Sequence, residues 1–323
     1  MSGETVNNII GYTNNPKNRH LSAGGSSGGE GALIGLRGSP VGFGSDIGGP
    51  IRVPAGFDGI FGIRPSNGRL PYRGVPISMD GQESIPCVIG PMASTIRSLT
   101  AIFRAVLDAK PWTGDPLVLD MPWRNEHERF VLALRKAGTA EHKLSFGLFA
   151  SDGIVRPAPP VRRAMKLLEE VIRAAGHEYE TWMFDGGKDI HSSLALSGEP
   201  IANQVSRAFG TKASEEKSAT HIAAINVRLR QYREYYHDYW NSTSKITSTG
   251  RPVDAFISPL APFAAARPTL YNHNAYSTTI NVLDYSAVAL PVTIVDKDTD
   301  KADTAYEPVS EKDAECHANC AVI

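Results

Sequence analysis

Apolar positions recur with a clear period in only a few stretches of the chain. From Ile96 to Leu107, the residues Leu99, Ile102, Phe103 and Val106 fall on one helical face. Ser94 or Thr95 stands where an N-cap belongs. Leu144–Phe149 has the short apolar run of a strand. After a turn at Asp152-Gly153, the segment Pro159–Ala175 places Val161, Met165, Leu168, Val171 and Ile172 on one stripe, with Gly176 at the C′ position. A strand followed by an amphipathic helix is one α/β unit. A third helix is expected over Ala219–Tyr239, polar and rich in Arg and Tyr, a solvated face with snorkelling side chains. Val253–Ile257 and Ser286–Val295 read as buried strands. Residues 109–142, rich in Pro, Trp and charge, read as a surface run, and the stretch after Asp296 as a polar tail. There is no internal repeat, and composition marks no domain boundary.

The stretch Gly24–Gly74 has no such period but carries an unusual density of glycine. Glycine costs chain entropy on folding, so the density fits backbone that turns tightly or approaches a ligand. The segment is no flexible linker, because Ala32, Leu33, Ile34, Val41, Phe43, Ile47, Phe57, Ile60 and Phe61 are interleaved with the glycines.

Two clusters in this stretch carry candidate chemistry: Gly24-Gly25-Ser26-Ser27-Gly28-Gly29-Glu30 and Gly44-Ser45-Asp46-Ile47-Gly48-Gly49-Pro50-Ile51-Arg52. Flanking glycines let several backbone N–H groups converge on one point, where they hold an anion or stabilise an oxyanion. A serine there can act as nucleophile or proton relay. By itself GGSSGG is more often a structural turn, and phosphate cradling is a further alternative. The pattern G-x-x-x-x-G-K-[ST] is absent, against a P-loop. So is G-x-S-x-G, against a nucleophile elbow.

Composition narrows the classes. The 323 residues carry a formal charge of −1, with 41% hydrophobic and 21% charged residues. These values fit a soluble globular protein and provide no field to attract nucleic acid. The opening residues are polar and no apolar run approaches the roughly 18 residues of a membrane helix, so a cytoplasmic location is the expectation. Cys87, Cys316 and Cys320 are too few for a disulfide framework. Cys316, His317 and Cys320 lack a second ligand pair for zinc. Cys320-Ala321-Val322-Ile323 formally fits a prenylation box, but no polybasic stretch precedes it. His273 reads as a hydrogen-bonded loop histidine or a residue lining a groove.

GGSSGGEGALI followed by GSPVGFGSDIGGPIRVPAGFDGIFGIRPSNGRLP resembles the amidase signature. The likeness runs nearly unbroken from Asn15 to Pro71. It continues in IGPMASTIRSL (89–99) and in the strand–helix unit ending AAGH (174–177). It resumes in NVLDYSAVALPVT (281–293), which is similar to fungal members and to fatty acid amide hydrolases. The resemblance implies an α/β/α sandwich, a large mixed β-sheet flanked by helices. It implies one partial domain: a signature core at 15–99, a surface connection at 100–143, further strand and helix units at 144–295, and a polar tail at 296–323. The implied reaction is hydrolysis of a carboxylic amide through an acyl-serine intermediate on a Ser–Ser–Lys triad, with no metal or organic cofactor. The bridging serine of the motif, preceded by a cis peptide, falls on Ser26. The oxyanion N–H groups fall on Ile47, Gly48, Gly49 and position 50. The aspartate and arginine that hold the loop fall on Asp46 and Arg52.

Two departures set the functional expectation. The nucleophile position is Pro50, which has neither hydroxyl nor N–H. The family lysine lies many tens of residues ahead of the glycine-rich segment, and Lys17, in NNPKNRH, does not fit its motif. Members of the family also continue beyond the last strand seen here, so the sheet is expected to be incomplete at both ends, with uncovered edges. The expectation is an amidase-family protein impaired in catalysis. The alternative is a non-catalytic ligand- or partner-binding relative, or a truncated gene product without function. A small amide is the expected ligand and a homo-oligomer a possible assembly; nucleic acid and membrane are not expected partners.

Overall fold

The computed structural model describes residues 3–78, 80–137, 144–166, 211–212, 215–247, 249–301 and 306–320. In chain order the elements are β1 (Val6–Asn7), β2 (Gly11–Tyr12), α1 (Gly28–Gly35), β3 (Val41–Asp46), α2 (Arg52–Asp58), β4 (Phe61–Arg64), β5 (Val88–Ala93), α3 (Ile96–Asp108), α4 (Asn125–Ala137), β6 (Phe146–Leu148), α5 (Pro159–Lys166), α6 (Ala219–Ser242), β7 (Ala255–Ile257), α7 (Ala275–Leu283), β8 (Ala287–Ala289) and α8 (Glu311–Cys320). The fold is α/β. Its central ladder has the order β3-β5-β4-β8 with antiparallel pairing throughout, while β6 and β7 pair in parallel. Among the described residues the strands thus form separate antiparallel and parallel ladders.

Burial explains the elements that lack a sequence period. In α2, Arg52, Val53, Pro54, Ala55, Phe57 and Asp58 are all buried, so the helix has no polar face to generate a 3.6-residue rhythm. It lies between two parts of the core. On one side Val53 and Phe57 meet Val155, Phe263, Tyr271 and Cys316; on the other Ala55 joins Ile34, Ile51, Ile60, Met92 and Ala289. The register Gly44↔Gly90 and Asp46↔Val88 carries β3 straight into the second glycine cluster.

The helix at Ile96 runs to Asp108, capped by Thr95, whose Oγ1 accepts the Ser98 N–H at 3.0 Å. Residues 109–142, expected as a surface run, contain α4, which is fastened to α3: Trp123 Nε1 donates to Glu128 Oε2 at 3.1 Å, and Arg104 pairs with the same carboxylate. The helix expected over Pro159–Ala175 is described as far as Lys166; the remainder lies outside the described residues. The strand expected over Ser286–Val295 is confined to Ala287–Ala289. Pro291 has no N–H for a ladder, and Leu290, Val292, Ile294 and Val295 are exposed. The expected polar tail holds α8, whose Cys316 is buried in the core and whose buried Asp313 accepts the Arg156 and Val309 N–H groups at 2.9 Å each.

Candidate functional site

The first cluster is shaped by the chain ahead of it. The Gly25–Ser26 peptide is cis. A Cβ on Gly25 would overlap the Glu4 carbonyl, so only glycine fits there. Glu4 is itself buried; its carboxylate accepts the Tyr12 hydroxyl at 2.8 Å and the Thr269 and Tyr271 N–H groups at 2.8 and 2.9 Å. Thr5 Oγ1 lies 3.0 Å from the Gly24 carbonyl and 3.1 Å from that of Ser26, and accepts the Gly28 N–H at 3.0 Å. Glu4 and Thr5 were not picked out from sequence, because nothing in ETVNN marks them as loop-holding residues. Ser26 is exposed, and Ser27 lies against Gly44 on β3, which sets the two clusters side by side.

The second cluster is a loop closed by an ion pair. Arg52 Nε donates to Asp46 Oδ2 and Arg52 Nη2 to Asp46 Oδ1, both at 3.0 Å, with both residues buried. Asp46 Oδ1 also accepts the Gly49 N–H at 2.8 Å, and Oδ2 the Ile51 N–H at 3.3 Å. Burial opposes the Asp46 charge, but the Arg52 guanidinium and the donors from Asn281 and Gly49 outweigh it and hold the carboxyl below its ordinary range. Gly49 has φ of +120°, and a Cβ there would meet Ser277 Oγ at 2.5 Å, so the position admits no side chain.

Helix α7 grips this loop from behind. Ser277 Oγ lies 2.9 Å from the Gly48 carbonyl, Arg52 Nη1 donates to the Ser277 carbonyl at 2.9 Å, Arg52 Nη2 donates to Asn281 Oδ1 at 2.5 Å, and Asn281 Nδ2 donates to Asp46 Oδ1 at 2.8 Å. From sequence, NVLDYSAVALPVT was recognisable as a motif, but not as the clamp on residues more than 220 positions earlier.

The other candidates lie elsewhere. Lys17 sits against Gly59 and beside Asp58, at the far end of α2 from Pro50. A helix of that length spans about 10 Å. Asp58 is fully buried. It accepts Asn15 Nδ2 at 3.3 Å through Oδ1, while Oδ2 has no hydrogen-bond partner among the described residues. Burial, partly offset by Lys17, raises its pKa to about 8. His273 pairs with Asp152, Nε2 to Oδ2 at 2.5 Å. Cys316 Sγ donates to Asn272 Oδ1 at 3.1 Å, and the His317 ring stacks on Tyr306 at 3.8 Å. Among the described residues no group of three or more His, Cys, Asp or Glu could hold a metal ion, and no helix is long and apolar enough to cross a membrane. Cys320 ends α8, and residues 321–323 lie outside the described residues. A cavity of about 1200 Å3 opens between β7 and β8, walled by Phe256, Trp240, Tyr285 and Leu290.

A family model described as Amidase matches residues 1–311. An acetamidase of Aspergillus oryzae is 38% identical over 334 residues, covering 98% of this chain and 60% of that protein. An acetamidase of Emericella nidulans is 37% identical, covering 97% and 59%. A solved fatty acid amide hydrolase superposes with a TM-score of 0.85 at 31% identity, covering 99% of this chain and 57% of that one. The chain therefore spans about three fifths of the length of these relatives. On the family match and these identities, the chain belongs to the amidase family.

Proposed function

We propose that the loop Asp46–Arg52 binds the carbonyl oxygen of a carboxylic amide through the Ile47 and Gly48 N–H groups, and that this chain does not cleave the amide it holds. The observation that carries the reading is Pro50. It stands where the family's nucleophilic serine is implied, and it supplies neither a hydroxyl nor an N–H. The Gly49 N–H is directed to Asp46 and position 50 has none, so of the four implied donors the reading leaves Ile47 and Gly48 to the ligand. One such donor is worth about 2.7–4 kcal/mol of transition-state stabilisation in other hydrolases. Ser26 fits the family's bridging role, a relay that needs a partner on either side. Lys17, held at the other end of α2, is no base for it. Asp46 and Arg52 keep the loop in shape for binding while the reaction itself lacks its attacking atom.

A fluorophosphonate probe tests this directly. It phosphylates an activated serine through Oγ, with fluoride leaving. The intact chain should gain no adduct by mass spectrometry. A stoichiometric adduct on Ser26 or Ser27 would overturn the reading.

A further inference from the structure

We propose that Asn281 is the positioning residue of the amide-binding loop, the neutral amide that fixes Asp46 and Arg52 in register with each other. The proposal rests on the reading of that loop as an amide-binding site. Asn281 is fully buried on α7. Its Nδ2 donates to Asp46 Oδ1 at 2.8 Å while its Oδ1 accepts Arg52 Nη2 at 2.5 Å. Only a side chain with a donor and an acceptor on one rigid plane can serve an anion and a cation together. A carboxylate at 281 would face the Asp46 carboxylate, and an ammonium would face the Arg52 guanidinium. The same Asp46 Oδ1 accepts the Gly49 N–H, so the orientation set by Asn281 passes through one oxygen to the loop backbone. Arg52 Nη1, anchored on the Ser277 carbonyl, supplies the second fixed point. The loop geometry is thereby dictated by a helix remote in sequence.

The chemistry provides its own control. A protonated aspartic acid is shaped like asparagine, with an O–H that can donate to Asp46 and a carbonyl that can accept from Arg52. An ionised aspartate can do only the second. Asn281→Asp should therefore hold the loop at low pH and release it as pH rises, whereas Asn281→Ala should release it at every pH. Asn281 touches Asp46 on β3 and Arg52 on α2; the further titratable groups that interact with this pair are Arg64 on β4, Cys87 ahead of β5 and Tyr271 ahead of α7.

The experiment is amide hydrogen exchange at Gly49, followed by NMR on the full chain between pH 5 and pH 8, with benzamide titrated in parallel. The unmodified chain should keep Gly49 protected throughout, after correction for intrinsic exchange. Asn281→Asp should lose that protection with a titration-shaped profile. Protection in Asn281→Asp that does not change with pH would overturn the proposal. If Asn281→Ala does not fold, the profile of Asn281→Asp decides alone. Gly49 exchange needs no ligand. Failure of benzamide to shift the Ile47 and Gly48 resonances of the unmodified chain would remove the amide-binding reading, and leave the positioning role of Asn281 to be judged on exchange.

Discussion

The Gly49 N–H donates to Asp46 Oδ1 at 2.8 Å, which closes the glycine-rich loop on itself. The same carboxylate is ion-paired to Arg52 at 3.0 Å. One buried anion therefore organises the loop backbone. Removing either partner of such a pair leaves a charge stranded in the interior.

Asp46→Asn should destabilise the fold by about 3–5 kcal/mol in urea unfolding, because Arg52 would remain buried without its counter-charge. The pH dependence has a definite sign. The folded carboxyl titrates below its ordinary range, so its contribution is present above the unfolded value and is lost as pH falls through the folded one. The acid limb of the stability curve should be shallower in the variant. An unchanged acid limb would show that Asp46 is not the linked group.

Asp58 should behave in the opposite sense. Its pKa is raised by burial to about 8, so its contribution is fully present below the unfolded value, near 3.8, and is lost as pH rises towards about 8. Asp58→Asn, which cannot ionise, should gain in melting temperature relative to the unmodified chain between pH 5 and pH 9. A difference in melting temperature that stays constant over that range would contradict a buried, proton-holding carboxyl.

The extent to which sequence showed the fold follows from where each segment buries its side chains. Helix α3 was legible because Leu99, Phe103 and Leu107 face the core while Arg97 and Arg104 do not. Helix α2 was not legible, being buried on nearly every side and containing Pro54 and Gly56. Helix α7 carries Ser277, Thr278 and Asn281 inward beside Tyr276, Ile280 and Leu283, so its buried face is mixed and a hydrophobic count passes over it. The glycine clusters were legible as backbone that turns tightly, and the structure sets them side by side. Their hydrogen-bond partners were not legible, since Thr5, Ser277 and Asn281 lie away from them in sequence and meet them only through packing, as does Glu4, whose carbonyl lies against Gly25.

Pro50→Ser would return one N–H and one hydroxyl to the loop. The added donor should tighten benzamide binding by about fivefold, in line with roughly 1 kcal/mol for a hydrogen bond. Turnover should still be absent, because a serine hydroxyl at its free pKa is a weak nucleophile and Lys17 lies at the far end of α2. Calorimetric titration beside an ammonia assay reads both; turnover by this single variant would show that another group serves as base.

The exposed row Val288, Leu290, Val292, Ile294 and Val295 follows the β8 edge. Apolar side chains beside a strand edge that is unpaired among the described residues favour self-association. Light scattering should show a mass that rises with concentration, and Ile294→Lys should reduce it. A concentration-independent monomer would count against association through this edge.

Ammonia or amine release from a panel of alkyl and aryl amides tests the central claim most directly, with the unmodified chain compared against Ser26→Ala. The account predicts no release above background from either. Release by the unmodified chain that is abolished by Ser26→Ala would contradict it, and would make Ser26 the nucleophile of a hydrolase that works without a serine at position 50.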